Sequence, residues 1–161
     1  MSYTLQALIS DRTIIEKAKS KGLHSVALSQ RFAMVPITFE MENMPFLPLA
    51  DEGDKSVTGA LRNLCIELSI ESRLAYVEAE FFGGEGTQAA WLIENENEFK
   101  EAFVHESAIN EALKWLGVSA DSGRDEFDAL GLGKHRDTAD WIKQEAYQDS
   151  AHNSGGCAPS A

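Results

Sequence analysis

The clearest periodicity in the chain begins at Ser56. Val57, Leu61, Leu64, Cys65 and Leu68 recur at i, i+4, i+7, i+8 and i+11, which puts them on one stripe of an amphipathic helix ending near Glu71. The period then drops to two. Over 73–82, Ala75, Val77, Ala79 and Phe81 alternate with Tyr76, Glu78, Glu80 and Phe82, the pattern of a strand with two different faces. A second strand follows at 87–95; its QAAWLI is apolar on both sides and reads as central in a sheet. Between the two, Gly83-Gly84-Glu85-Gly86 predicts a four-residue hairpin loop whose glycines supply positive φ angles. A helix over 107–116 places Ile109, Ala112, Leu113 and Leu116 on one side and stops at Gly117.

The remaining segments are less periodic. YTLQALI at 3–9 predicts a first strand, after which Ser10 or Asp11 caps a helix through about Ser20 that Gly22 terminates. HSVALSQRFAMVPIT at 24–38 predicts one strand or two short ones, with Pro36 at an edge or a strand end because it lacks an N–H. Residues 39–55, with Pro45, Pro48 and Gly53, predict a loop carrying the apolar Met41, Met44, Phe46 and Leu47. Residues 94–106 hold Glu94, Glu96, Glu98, Glu101 and Glu106 against Lys100 alone. Short helices are expected at 125–130 and from Asp137 to about Tyr147, and the tail at 148–161 reads as disordered. The sum is a single α+β domain over 1–147. A mainly antiparallel sheet of four or five strands, with 73–82 and 87–95 as its central hairpin, packs against the 57–70 and 107–116 helices. Trp91, Leu61, Leu64, Val77, Ile93, Leu113 and Leu116 are the expected core.

Composition narrows the class. The 161 residues suffice for one domain without disulfide or metal. Two cysteines, Cys65 and Cys157, are too few for a disulfide framework and read as free thiols. The N-terminal MSYTLQALISDRT lacks a basic region followed by an apolar block, and no apolar run reaches the roughly 18 residues of a membrane helix. The expectation is a soluble, cytoplasmic protein with no membrane partner. Charge is more specific: 14 Lys and Arg stand against 26 Asp and Glu, a net of −12. Residues 1–32 carry five bases and two acids, a net of +3, and the other 129 carry nine bases and 24 acids, a net of −15. Such a body repels nucleic-acid phosphates and attracts basic partners.

Candidate chemistry is sparse. The Gly83–Gly86 run does not fit a phosphate loop, which needs its glycines ahead of a helix N-terminus; these join two strands, beside Glu80 and Glu85. Glu78 and Glu80, at i and i+2, leave the same strand face at roughly 7 Å spacing. That separation suits a carboxylate pair for hydrolysis, or two metal ligands. The alternative is a solvated outer face of an antiparallel sheet. His24, His105, His135 and His152 have no metal-ligand spacing, so neither metal nor cofactor is expected. No GxSxG elbow occurs, and Cys65 is placed to pack within its helix.

The stretches YVEAEFFGGEGTQAA, INEALKWLGV and DEFDALGLGKHRDTADW, within about 73–145, resemble a recurring pattern in small acidic bacterial cytosolic proteins, and size and charge are similar to those of immunity proteins of toxin systems. The resemblance implies a non-catalytic protein that neutralises a basic toxin and brings no catalytic residue with it. Three readings follow. The first is an acidic protein-binding domain whose partner docks on Glu94, Glu96, Glu98 and Glu101 together with Glu85 at the hairpin tip, with those charges exposed and mutually repelling. The second is a small hydrolase using Glu78 and Glu80. The third is a module self-associating through Met41, Met44, Phe46 and Leu47.

Overall fold

A computed structural model describes residues 2–37 and 59–143. Six strands form one antiparallel sheet: β1 (Ser2–Asp11), β2 (Val26–Ala27), β3 (Phe32–Pro36), β4 (Arg73–Phe82), β5 (Glu85–Glu94) and β6 (Asn97–Val104). Their spatial order is β2-β3-β1-β4-β5-β6. Four helices accompany them, α1 (Thr13–Ser20), α2 (Gly59–Leu68), α3 (Ala108–Leu116) and α4 (Glu126–Leu130), with further helical residues at 138–143. The architecture is α+β, with 73–82 and its successor strand paired as expected. The apolar loop bearing Met41, Met44, Phe46 and Leu47 and the tail at 148–161 lie outside the described residues. Among the described residues no helix is long and apolar enough to cross a membrane.

The sheet has six strands where the pattern predicts four or five, and the addition is β6. It closes one edge of the sheet, so it hydrogen-bonds on one side only, and Asn97 to Glu101 are exposed. An edge strand in this position needs no apolar alternation, which is why the glutamate-rich stretch carries no strand signal.

Side chains alternate into two separate cores. Leu5, Ala7 and Ile9 of β1, Ala75, Val77 and Ala79 of β4, and Ala90 and Leu92 of β5 pack under Ile109, Ala112 and Leu113 of α3, with Leu130 and Trp141. On the opposite face Leu8, Val35, Leu74, Tyr76, Trp91 and Ile93 pack against Ile14 and Ala18 of α1 and Leu61, Cys65 and Leu68 of α2. The sheet is therefore covered on both sides, which accounts for the continuous apolar run in β5. Trp91, Leu61, Val77, Ile93 and Leu113 are buried as predicted; Leu64 and Leu116 are half-buried against the same clusters.

Local signals hold where they are backbone-determined. The N-cap of α1 is Arg12 rather than Ser10 or Asp11 and makes no side-chain cap bond, but the Asp11 carboxylate just before it accepts the Thr13 N–H at 2.9 Å, and Gly22 adopts φ 72 just past the helix end. The β4–β5 turn is tighter than the predicted four residues. Phe82 pairs with Glu85, so only Gly83 (φ 62) and Gly84 (φ 87) form the turn. Two consecutive positive φ angles are what a two-residue hairpin on twisted strands requires. Gly86 serves differently: it lies within β5, where a Cβ would overlap the Glu80 carbonyl oxygen and sit 2.6 Å from the Phe81 Cα.

Candidate functional site

Glu78 and Glu80 leave the same face of β4, as strand parity dictates, but into opposite environments. Glu80 is exposed opposite Thr87. Glu78 has 0% exposure and lies opposite Gln6 of β1. The Gln6 side-chain amide donates to the Tyr76 hydroxyl at 2.8 Å, and that hydroxyl is hydrogen-bonded to the Glu78 carboxylate. Burial first, and the Glu78 charge second, hold the Tyr76 phenol well above its ordinary range. The solvated outer face considered for this side of the sheet is thus corrected over most of β4. From Leu74 to Glu78 the face is interior, with Leu74 and Tyr76 packed in the core that α1 and α2 share. A carboxylate with no accessible surface has no approach for a substrate, and the two groups do not open onto a common cavity among the described residues.

The acidic residues are not one patch. Glu85 faces Phe82 at the hairpin tip and Glu94 faces Arg73 at the other end of the same ladder. They stand nine positions apart along β5, about 30 Å at the usual rise. The expectation of mutually repelling charges is also corrected for two members, although both keep much of their side-chain exposure. Glu94 pairs with Arg73 at 3.0 Å. Glu98 accepts the Trp91 indole N–H at 2.6 Å and lies 3.8 Å from Arg62, whose guanidinium stands 5.3 Å from the Trp91 ring centre. Glu96 and Glu101 are exposed.

A cleft that the sequence did not point to lies at the hairpin end of the sheet. Tyr3 of β1, Ala79 and Phe81 of β4 and Gln88 of β5 form its floor. Glu106, Ile109 and Asn110, at the start of α3, and Asp125 and Phe127, at the start of α4, form its rim. Its volume is about 400 Å³, and a smaller hollow of about 210 Å³ shares Phe81, Gln88 and Glu106 with it. Register explains the convergence: Tyr3 is the partner of Phe81, and Phe81 of Gly86, so three strands end together here.

The cleft is held by a polar frame. Gln88 accepts the Ile109 N–H at 2.8 Å, capping α3 from the sheet in place of Ser107, whose side chain makes no cap bond. The Asn110 side chain accepts the Phe127 N–H at 2.9 Å and donates to Asp125 at 3.0 Å, while Asp125 caps α4 through the Asp128 N–H at 2.9 Å. The Tyr3 and Phe127 rings meet edge to face at 5.6 Å. The Tyr3 hydroxyl donates to the Leu132 carbonyl at 2.9 Å, and burial raises its pKa. Glu106 is exposed and, like Glu80 and Glu85 on the other face of the same end, has no basic partner among the described residues. Nothing in the spacing of Tyr3, Gln88, Glu106 and Phe127 along the chain foretells this grouping. Among the described residues no group of three or more His, Cys, Asp or Glu is placed to hold a metal ion.

The chain matches no family model, and no curated protein or solved structure is similar to it at a significant level.

Proposed function

We propose that this protein is a non-catalytic, acidic protein-binding domain that docks a basic partner at the hairpin end of its sheet. The observation that carries this reading is the division of its acids. At the β5–β6 turn, Glu94 and Glu98 are committed to Arg73, Arg62 and Trp91, whereas at the hairpin end Glu106 stands uncompensated at the rim of an aromatic-lined cleft, with Glu80 and Glu85 uncompensated on the other face. With a net charge of −12, encounter with a cationic surface is accelerated and sensitive to salt. Neutralisation of a basic toxin, the role of an immunity protein, is the form of this function that the resemblance over about 73–145 favours.

The test compares two charge-matched variants for association with a Lys- and Arg-rich peptide by stopped flow at low and high salt. In one, Glu80, Glu85 and Glu106 are replaced by Lys; in the other, Glu16, Glu71 and Glu96 are. The hairpin-end variant is expected to lose roughly tenfold in on-rate at low salt and to flatten the salt dependence. The second variant should change far less. Equal effects would mean that total charge alone is being read, and a larger effect of the second set would move the docking surface away from the hairpin end.

A further inference from the structure

The cleft at the hairpin end has a more specific chemistry than its surroundings. Most of its polar groups are already committed within the frame. Asn110 uses both ends of its amide, the Gln88 side-chain carbonyl oxygen caps α3, and the Tyr3 hydroxyl donates its hydrogen bond to the Leu132 carbonyl. The unused capacity is chiefly acceptor: the Glu106 carboxylate, the remaining lone pairs of Asp125 and those of the Tyr3 oxygen. Among the described residues no Lys or Arg lines the cleft; beside it, His105 already contacts Glu111 at 2.8 Å, and Arg124 is paired with Asp121. Phe81, Phe127 and Tyr3 supply apolar walls.

A helix N-terminus would ordinarily draw an anion here. At α3 that attraction is blunted, because Gln88 occupies the Ile109 N–H and the His105 ring accepts the Ser107 N–H at 3.2 Å. An acceptor-rich cleft with aromatic walls and no cation suits a flat cation on an apolar stem. A guanidinium fits that description better than an ammonium. It bonds a carboxylate through two parallel N–H groups and stacks on an aromatic face while doing so.

We infer that the cleft is an arginine pocket. It takes one arginine side chain of the basic partner, with the guanidinium on Glu106 and the stem against Phe81 and Phe127. This rests on the docking reading above and names the group by which that partner is recognised.

The experiment uses the full chain and small probes, so it is read independently of the peptide kinetics. Nα-acetyl-arginine amide, its neutral isostere Nα-acetyl-citrulline amide and Nα-acetyl-lysine amide are titrated while backbone amide shifts are followed by NMR. The arginine amide is expected to move the Gln88, Glu106, Ile109 and Phe127 signals. Citrulline should bind roughly tenfold more weakly and lysine severalfold more weakly. Glu106→Gln should bring arginine down to the citrulline level; its side chain is exposed, so the fold is retained and the unperturbed spectrum verifies it. Phe127→Leu should weaken arginine severalfold. The inference is overturned if arginine and citrulline bind alike, if Glu106→Gln leaves arginine binding unchanged, or if the shifts lie elsewhere or are absent. If the basic peptide still docks at the hairpin end in that event, the docking reading stands without the pocket.

Discussion

Trp91 donates its indole N–H to the Glu98 carboxylate at 2.6 Å, tying a core side chain of β5 to the edge strand β6. Trp91 is 1% exposed, so that N–H has no water to fall back on. Glu98→Ala should therefore destabilise the protein by about 1–3 kcal/mol, the usual cost of stranding a buried donor beside a lost charged acceptor. Glu98→Gln keeps an acceptor and should cost less. Glu98→Lys should be at least as harmful as Ala, because Arg62 lies 3.8 Å away. Urea unfolding followed by tryptophan fluorescence reads all three, with exposed Glu96→Ala as a control expected within about 0.5 kcal/mol. Equal midpoints for the Glu98 and Glu96 variants would mean that the contact contributes nothing.

The three glycines of the hairpin should respond differently. Gly83→Ala puts a side chain at φ 62 with open space around it, so only the left-handed backbone is penalised, by about 1 kcal/mol. Gly86→Ala drives a Cβ into the Glu80 and Phe81 backbone, which cannot swing aside as a side chain does. It should cost roughly 3 kcal/mol and move β4 against β5. Thermal melts order the two variants; Gly83→Ala melting at or below Gly86→Ala contradicts the close approach.

Stability should fall on the alkaline side. Burial pushes the Cys65 thiol up, and burial together with the Glu78 charge raises the Tyr76 phenol. An unfolded thiol ionises near ~8.5 while the native one stays protonated. Above that pH the unfolded chain binds fewer protons, and stability declines by about 1.4 kcal/mol per pH unit, more steeply near ~10 as the tyrosines join. Cys65→Ala should flatten the first part of this decline whatever it does to absolute stability. Urea midpoints measured from neutral to alkaline pH give the slopes; parallel curves for the two proteins would refute the thiol's part.

Acid should act through Glu111. The Lys100 ammonium, bonded at 2.6 Å, chiefly lowers its pKa, with His105 adding to the effect and partial burial opposing it. A carboxyl whose folded pKa is depressed contributes stability that is present above its unfolded value of about 4.3 and is lost as pH falls through the folded pKa. The wild-type advantage over Glu111→Gln should therefore be present near neutrality and be smaller at an acid pH below the unfolded value. Both side chains are substantially exposed, so added salt should shrink it as well. Comparing the two proteins' urea midpoints at the two pH values settles the sign; a gap that widens in acid would exclude the assigned direction.

What could be read along the chain is what neighbouring residues decide among themselves. The i, i+3, i+4, i+7 stripe of Leu61, Leu64, Cys65 and Leu68 names a helix and its buried side without knowledge of the partner. Alternation over 73–82 assigns Val77 and Tyr76 to opposite faces, and the glycines between two apolar runs mark the turn. These are short-range consequences of side-chain direction and permitted φ, and they survive in α2, β4 and the hairpin, whose turn is shortened from four residues to two.

Only the tertiary structure decided which of those surfaces meets water and which residues become neighbours. Alternation puts Glu78 and Glu80 on one face, but only the folded chain makes Glu78 interior, beside Tyr76 and Leu74 in the core that α1 and α2 share, and leaves Glu80 exposed. The acids of 94–101 look like a single free cluster in sequence, yet Arg62 and Arg73 arrive from α2 and β4 to engage two of them. Strand β6 exists because β5 offers it an edge, not because its own residues alternate. The cleft joins Tyr3 to Phe127 across 124 positions through the pairing of β1 with β4 and the seating of α3 and α4 on the sheet. No local periodicity carries such a contact, because sheet register and helix docking are set by the burial of two whole cores at once.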